Sequence, residues 1–394
     1  GGRVMRRNRW IVLCALFAAC TSTPAIDTTT AETTSAPVPT TTARLTTTVP
    51  EVDPTDFRSI ADGITRSLLV LQPELVNELG ADDLIGFDAN YQLADLSPRG
   101  RDQLRIAAEE GLGALDALGT DTFDAEEELS AGMLRWYLED IGTMWQFLEY
   151  ENPVNYITGV HAGFAEFMAD AHPIDSEQDA EDYVERLIGF RVQLMDLVEA
   201  VEAMEESGLV PAERSLGIAR WQIGNFIGDG DAEFHPLVVD FKDRVAGLVG
   251  EDHTWAAGIG ARAEAAVRNL FPVMEELDEA VGRIEGLSDS APGVTHLPGG
   301  DEYYAAVLRH YLSIDMTPQA VHEVGLEQVD RLRIELTGIL SELGYDAEGS
   351  FAVAMQHAEA DAGAMPTTSE PERAAVLERT QETVAEAARA FESL

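Results

Sequence analysis

Apolar residues spaced alternately three and four apart run unbroken through long stretches of this chain, and that spacing fixes its fold class. Tyr183, Leu187, Phe190, Leu194, Leu197, Val201 and Met204 form one series. Ala263, Val267, Leu270, Met274, Leu277, Val281 and Ile284 form a second, and Val329, Leu332, Leu336, Ile339 and Leu343 a third. A helix turns once in about 3.6 residues, so each series becomes one apolar stripe that a neighbouring helix must cover. Alternating β-branched runs of strand type are nearly absent. Helices are expected near 56–71, 98–118, 124–150, 177–207, 211–227, 234–250, 253–286, 301–312, 317–344 and 370–394. The fold class is therefore all-α: an irregular multi-helix array of long antiparallel helices. Start signals agree with it. Asp124 stands three before Glu127, Ser176 three before Asp179, Thr317 just before Pro318, and Ser369 three before Glu372. Gly208, Gly286 and Gly344 close the far ends as expected C-caps, and no fixed repeat period indicates a solenoid.

Ahead of the helical body lies an export signal. Met5 is read as the start, with Arg6, Arg7 and Arg9 as a positive segment and Trp10 to Ala19 as an apolar one. Such a stretch suits a signal peptide and is too short for a bilayer core of about 30 Å, which takes about 20 helical residues. It ends in Leu16-Phe17-Ala18-Ala19-Cys20, where small residues before a cysteine leave the thiol open to a lipid. Cys20 is the expected lipidation site, and an ordinary signal peptide with a chance cysteine is the alternative. The Arg6-Arg7 pair is compatible with twin-arginine export as well as the general route. Thirteen Thr and four Pro fill Thr21 to Pro50. Such a composition cannot bury enough apolar surface to offset ordering, so a disordered tether is expected. Residues 1–20 are thus read as a lipoprotein signal peptide, 21–52 as the tether and 53–394 as the helical domain. The expected location is extracytoplasmic, on a membrane-held lipid. The other cysteine, Cys14, falls inside the signal, so the mature domain has no disulfide.

Charge narrows the partners. The chain carries 71 acidic and 26 basic residues, a formal net of −45, and Lys242 is its one lysine. A field this negative argues against nucleic acid and against direct adhesion to anionic lipid. It suits salt-rich surroundings, or it reflects a compositional habit unrelated to substrate.

Familiar catalytic constellations are missing. Of eight histidines, His322 precedes Glu323, yet the position one helical turn after His322 is Leu326. A helical zinc site needs a second imidazole there, so no metal ligands are assigned. There is no Gly-x-Ser-x-Gly segment, the mature domain has no cysteine nucleophile, and Gly228-Asp229-Gly230 is acidic where a phosphate cradle is not. No catalytic residue is assigned. The unusual segment is His296-Leu297-Pro298-Gly299-Gly300-Asp301-Glu302-Tyr303-Tyr304, a Pro-Gly-Gly turn leading straight into a helix. His296, Gly299, Tyr303 and Tyr304 are its candidate substrate-cleft residues, with Tyr304 or His296 donating to a substrate carbonyl or carboxylate. The plainer reading is a turn whose tyrosines pack on neighbouring helices.

Leu297-Pro298-Gly299-Gly300-Asp301-Glu302-Tyr303-Tyr304, followed by Met316-Thr317-Pro318-Gln319-Ala320-Val321-His322-Glu323-Val324-Gly325-Leu326-Glu327-Gln328-Val329, resembles the bacterial domain-of-unknown-function 885 family. Asp182-Tyr183-Val184-Glu185-Arg186-Leu187 and Gly208-Leu209-Val210-Pro211-Ala212-Glu213-Arg214 are similar to it too, and the resemblance spans roughly 56–394. It implies a helical, zinc-metallopeptidase-like fold whose metal motif is a His-Glu helix followed by Pro-Gly-His. Nothing in this chain matches that motif, so no ligand is carried over. Zinc is expected for the full-length family member and no cofactor in this chain. The chain is accordingly expected to be the N-terminal part of a larger metallopeptidase-like fold. Two functions follow from this reading. One is the cleft-forming part of a surface-anchored zinc-dependent peptidase or amide hydrolase, with a peptide as substrate. The other is a non-catalytic helical lipoprotein that binds a solute or protein partner.

Overall fold

Several helix starts obey local capping chemistry in the structure, a computed structural model that describes residues 52–86, 88–119, 123–250, 253–288, 293–362 and 369–392. The signal segment, Cys20 and the tether through residue 51 lie outside the described residues. Asp124 accepts from the amides of Glu126 and Glu127, and the Glu127 carboxylate reaches back to the Asp124 amide, completing a capping box. Ser176 and Thr317 accept from amides three residues on.

Every regular element among the described residues is helical. Through Asp315 the chain forms one compact unit. Its helices are α1 (Phe57–Leu69), α2 (Pro73–Leu79), α3 (Asp82–Ile85), α4 (Pro98–Ala117), α5 (Ala125–Trp145) and α6 (Val160–Asp170). There follow α7 (Glu177–Ser207), α8 (Glu213–Ile227), α9 (Pro236–Val249), α10 (Thr254–Arg268), α11 (Phe271–Glu285) and α12 (Gly300–Leu312). Three of these, α2, α3 and α6, were not expected from periodicity.

The helix expected over 253–286 is two helices. Pro272 has no amide to give and its ring clashes with the carbonyl of Arg268, so the chain breaks at Asn269–Leu270. The apolar stripe nonetheless continues across the break, and every residue of the first two series is buried. The segment expected over 124–150 stops at Trp145 and resumes as one tight turn, Leu148–Tyr150. Gly208 caps α7 in the left-handed conformation, whereas Gly286 keeps a right-handed helical φ of −67°.

Two apolar clusters result. One gathers Phe57, Leu68, Leu69, Val76 and Leu138 from α1 to α5. The other gathers Phe164, Tyr183, Phe190, Phe241, Val267 and Met274 from α6 to α11. Each large side chain buried this fully contributes about 1.5–3 kcal/mol. Arg220 of α8 grips Asp278 and Glu285 of α11 on the surface, and Lys242 of α9 reaches Glu264 of α10 at 3.4 Å.

A buried polar joint lies between the clusters. Arg186 of α7 is fully buried and donates to the carbonyls of Gln92 and Ala89, to Nδ1 of His172 and to the side chain of Asn77. Nearby, Gln193 of α7 donates to Glu74 of α2 and to the Ala94 carbonyl, and Glu74 accepts from the Ala94 amide. The segment between α3 and α4 is thus held on α7 by its backbone, which satisfies groups that burial would otherwise leave unpaired.

A second unit runs from Met316. It contains α13 (Pro318–Glu342), α14 (Phe351–Ala362) and α15 (Glu370–Glu392). Leu340, Ala347 and Ala354 form its small core. The third apolar series departs from expectation here. Val329, Leu332, Leu336, Ile339 and Leu343 are exposed, because α14 and the turn before it pack at the end of α13, around Leu340.

Candidate functional site

The turn before α12 is built on two glycines with little room for a side chain. Gly299 holds φ +69°, and a β-carbon there would lie 2.5 Å from the Tyr150 hydroxyl. Gly300 is buried against Val294, whose carbonyl oxygen would stand 1.9 Å from an added β-carbon. Tyr150 closes the turn by donating its hydroxyl hydrogen to the Pro298 carbonyl at 2.6 Å.

Tyr303, one turn into α12, then stacks on Tyr150 with ring centroids 5.0 Å apart and 21° between planes. Phe147 packs on both, at 6.0 Å from Tyr150 and 5.8 Å from Tyr303. Such offset contacts favour a fixed aromatic wall. Burial pushes the Tyr303 hydroxyl up to about 12, helped by the neighbouring Glu151 charge, so it keeps its proton and can donate. Gly299 and Tyr303 are therefore brought together, through Tyr150. Tyr304 is 37% exposed and His296 sits in the exposed turn with Nδ1 on the Gly293 carbonyl, so neither joins the aromatic wall.

Two further candidate residues, His310 and Asp140, carry no local sequence motif. His310 lies seven residues after Tyr303, two turns along the same face and about 10 Å farther on. Its Nδ1 meets Oδ2 of Asp140 at 2.6 Å. Asp140 is buried on α5 among Leu134, Tyr137, Leu138, Ile141 and Met144, and its other oxygen, Oδ1, has no hydrogen-bond partner. The hydrogen bond that His310 donates to the Asp140 carboxylate raises the His310 pKa, against the opposing effect of burial, and the charges of Asp140 and Glu151 add to the rise. Position helps as well, since Arg309 and His310 occupy the last turn of α12, the negative end of its dipole. A carboxylate on one ring nitrogen orients the imidazole and leaves Nε2 for a ligand. The legible signal was an aspartate inside an otherwise apolar stripe.

The zinc that the resemblance implies does not fit here. Among the described residues no group of three or more His, Cys, Asp or Glu gathers to hold a metal ion.

No curated protein matches the chain. The solved structure of a Colwellia psychrerythraea protein, described as a "putative lipoprotein", matches with a TM-score of 0.74 at 20% identity. The match covers 84% of this chain and 58% of that one, so the chain spans little more than half the length of that relative, and the likeness is one of fold. The family profile described as "Bacterial protein of unknown function (DUF885)" matches residues 73–393. With the Pro-Gly-Gly turn and its tyrosines in place on a wholly helical frame, the chain belongs to the DUF885 family.

Proposed function

We propose that this chain forms the substrate-facing part of an extracytoplasmic, lipid-anchored hydrolase of peptides or related amides. In this reading the zinc-binding segment is supplied by sequence not contained in the 394 residues. The supporting observation is the fixed aromatic wall of Phe147, Tyr150 and Tyr303 above the Gly299 turn, with the Tyr303 hydroxyl held protonated as a donor. A substrate carbonyl laid on that wall would be positioned by one hydroxyl and excluded from water on one side. The signal ending in Cys20, the Thr-rich tether and the fold likeness to a protein described as a lipoprotein support the anchoring.

Two measurements test the reading. A gene product extended to the length of the Colwellia psychrerythraea relative should release fragments from a peptide mixture, and Tyr303→Phe should lower its kcat/KM by about tenfold. An inert extended product would favour the binding-protein alternative instead. Mass spectrometry of membranes should find a lipid on Cys20, and Cys20→Ala should release soluble protein. Unchanged membrane retention would sink the anchor.

A further inference from the structure

An open groove of about 690 Å³ runs along α5 beside the end of α12. Ala125, Leu129, Gly132, Met133 and Trp136 line it from α5 beside the acidic Glu128, and Ser313 lines it from the end of α12. These α5 positions follow the 3–4 spacing of one helix face, and Leu129 and Met133 lie exposed there at 65% and 41%. Ser313 ends α12 with φ +56°, a left-handed conformation that strains any residue with a β-carbon.

Helical arithmetic joins the groove to the pair. Trp136 and Asp140 are four apart on α5, and His310 and Ser313 three apart on α12. On each helix, then, a groove residue neighbours a member of the pair, about 5–6 Å away between β-carbons. Arg309 lies over the Trp136 ring at 5.9 Å. Asp140 Oδ1 is buried with no partner, and His310 meets Asp140 through Nδ1, so Nε2 is the ring nitrogen left for a ligand. The charged and titratable groups around His310 are Asp140 on α5, Glu151 just beyond it, and Arg309, Tyr303 and Tyr311 on α12 itself. Two carboxylates stand closest, in a chain of net −45, so an acidic ligand is repelled and a neutral or cationic one favoured.

We propose that this seam binds peptides, with an apolar side chain in the groove beside Trp136 and the adjoining backbone carbonyl on Nε2 of protonated His310, and that it prefers neutral or cationic peptides to acidic ones. The choice of a peptide rests on the hydrolase reading, but binding does not depend on turnover. Nδ1 is committed to Asp140, so Nε2 donates only while the ring is charged, and binding weakens as pH rises through the raised pKa of His310.

Leucyl-leucinamide, its N-succinyl derivative and glycyl-glycinamide, titrated into the chain at about pH 6 and read by calorimetry, test this. Leucyl-leucinamide should bind saturably and at least about tenfold tighter than either control. Gly132→Leu should remove that binding, because a β-carbon at Gly132 meets nothing within 4 Å and the new side chain fills the groove without disturbing the core. His310→Gln should weaken binding by about tenfold and flatten its pH dependence. No saturable binding, equal binding of the succinylated peptide, or undiminished binding in either variant would overturn the proposal. Cleavage by the extended protein without binding here would remove this site and leave the hydrolase reading standing. Binding here with an inert extended protein would do the reverse.

Discussion

His172 accepts a hydrogen bond on Nδ1 from the Arg186 guanidinium at 2.8 Å, and this fixes its tautomer. Arginine has no lone pair to offer, so the ring proton sits on Nε2, which donates to the Asp179 carbonyl at 2.9 Å. Burial, and then the adjacent cation, push His172 down to about 3, so it stays neutral across the physiological range.

Arg186→Met should cost about 3–5 kcal/mol, because the carbonyls of Ala89 and Gln92, the Asn77 side chain and His172 all lose their donor inside the protein. Arg186→Lys should recover little, since a point charge cannot reproduce five donors in a planar fork. Urea unfolding measures both. A loss below about 1 kcal/mol in the methionine variant would mean the joint is dispensable.

His161 should set part of the acid sensitivity. It is buried, desolvation pushes it down to about 4, and the neighbouring Gln222 side chain offsets only part of that fall. The unfolded value is about 6.5, so protons bind the unfolded chain more readily. Stability from this group is full above about pH 6.5 and falls as pH drops toward about 4. His172 acts in the same direction, and Glu74, whose pKa is raised by burial, opposes them. His161→Leu should be neutral to about 1 kcal/mol stabilising at pH 7. Its advantage should widen by up to about 2 kcal/mol at pH 5. Melting curves at the two pH values decide, and a constant difference would refute the titration account.

At the turn before α12, Gly299→Ala should destabilise the domain by about 2 kcal/mol, combining left-handed strain with displacement of the Tyr150 hydroxyl. Near-ultraviolet circular dichroism should change with it, since Tyr150 stacks on Tyr303. Wild-type stability and spectrum in this variant would show that the turn relaxes freely.

Salt should stabilise the domain. Screening weakens surface ion pairs such as Arg220–Asp278 and Arg283–Glu202, but each contributes only about 0–1 kcal/mol. With 71 acidic residues facing 26 basic ones, repulsion is the larger effect. The Debye length falls from about 30 Å at 0.01 M to about 3 Å at 1 M, and the melting temperature should rise across that range. A flat or falling trend would contradict it.

Long apolar stripes were the legible part of this fold, because 3.6-residue periodicity accumulates over many turns. It placed every residue of the 183–204 and 263–284 series in the core. Short helices such as Pro73–Leu79 and Val160–Asp170 span too few turns for the period to show. The break before Pro272 leaves the stripe uninterrupted, so the period alone reads 253–286 as one helix. In the third series the stripe was real, yet a stripe carries no information about which face a neighbour covers. The candidate site divides similarly. Gly299 and Tyr303 stood out locally, whereas Tyr150 reaches Pro298 over 148 residues and Asp140 reaches His310 over 170. Such pairings are written by the packing of α5 on α12 rather than by any local motif.

Lys242 joins α9 to α10 through Glu264, with 38% of its side chain exposed. As the one lysine in the sequence, it is also the one ε-amine available to acylating reagents. A dye coupled to that ε-amine sits on the seam between those two helices. The label would remove the positive charge that faces Glu264, so its emission would follow that seam as it loosens, with no cysteine engineered into the chain.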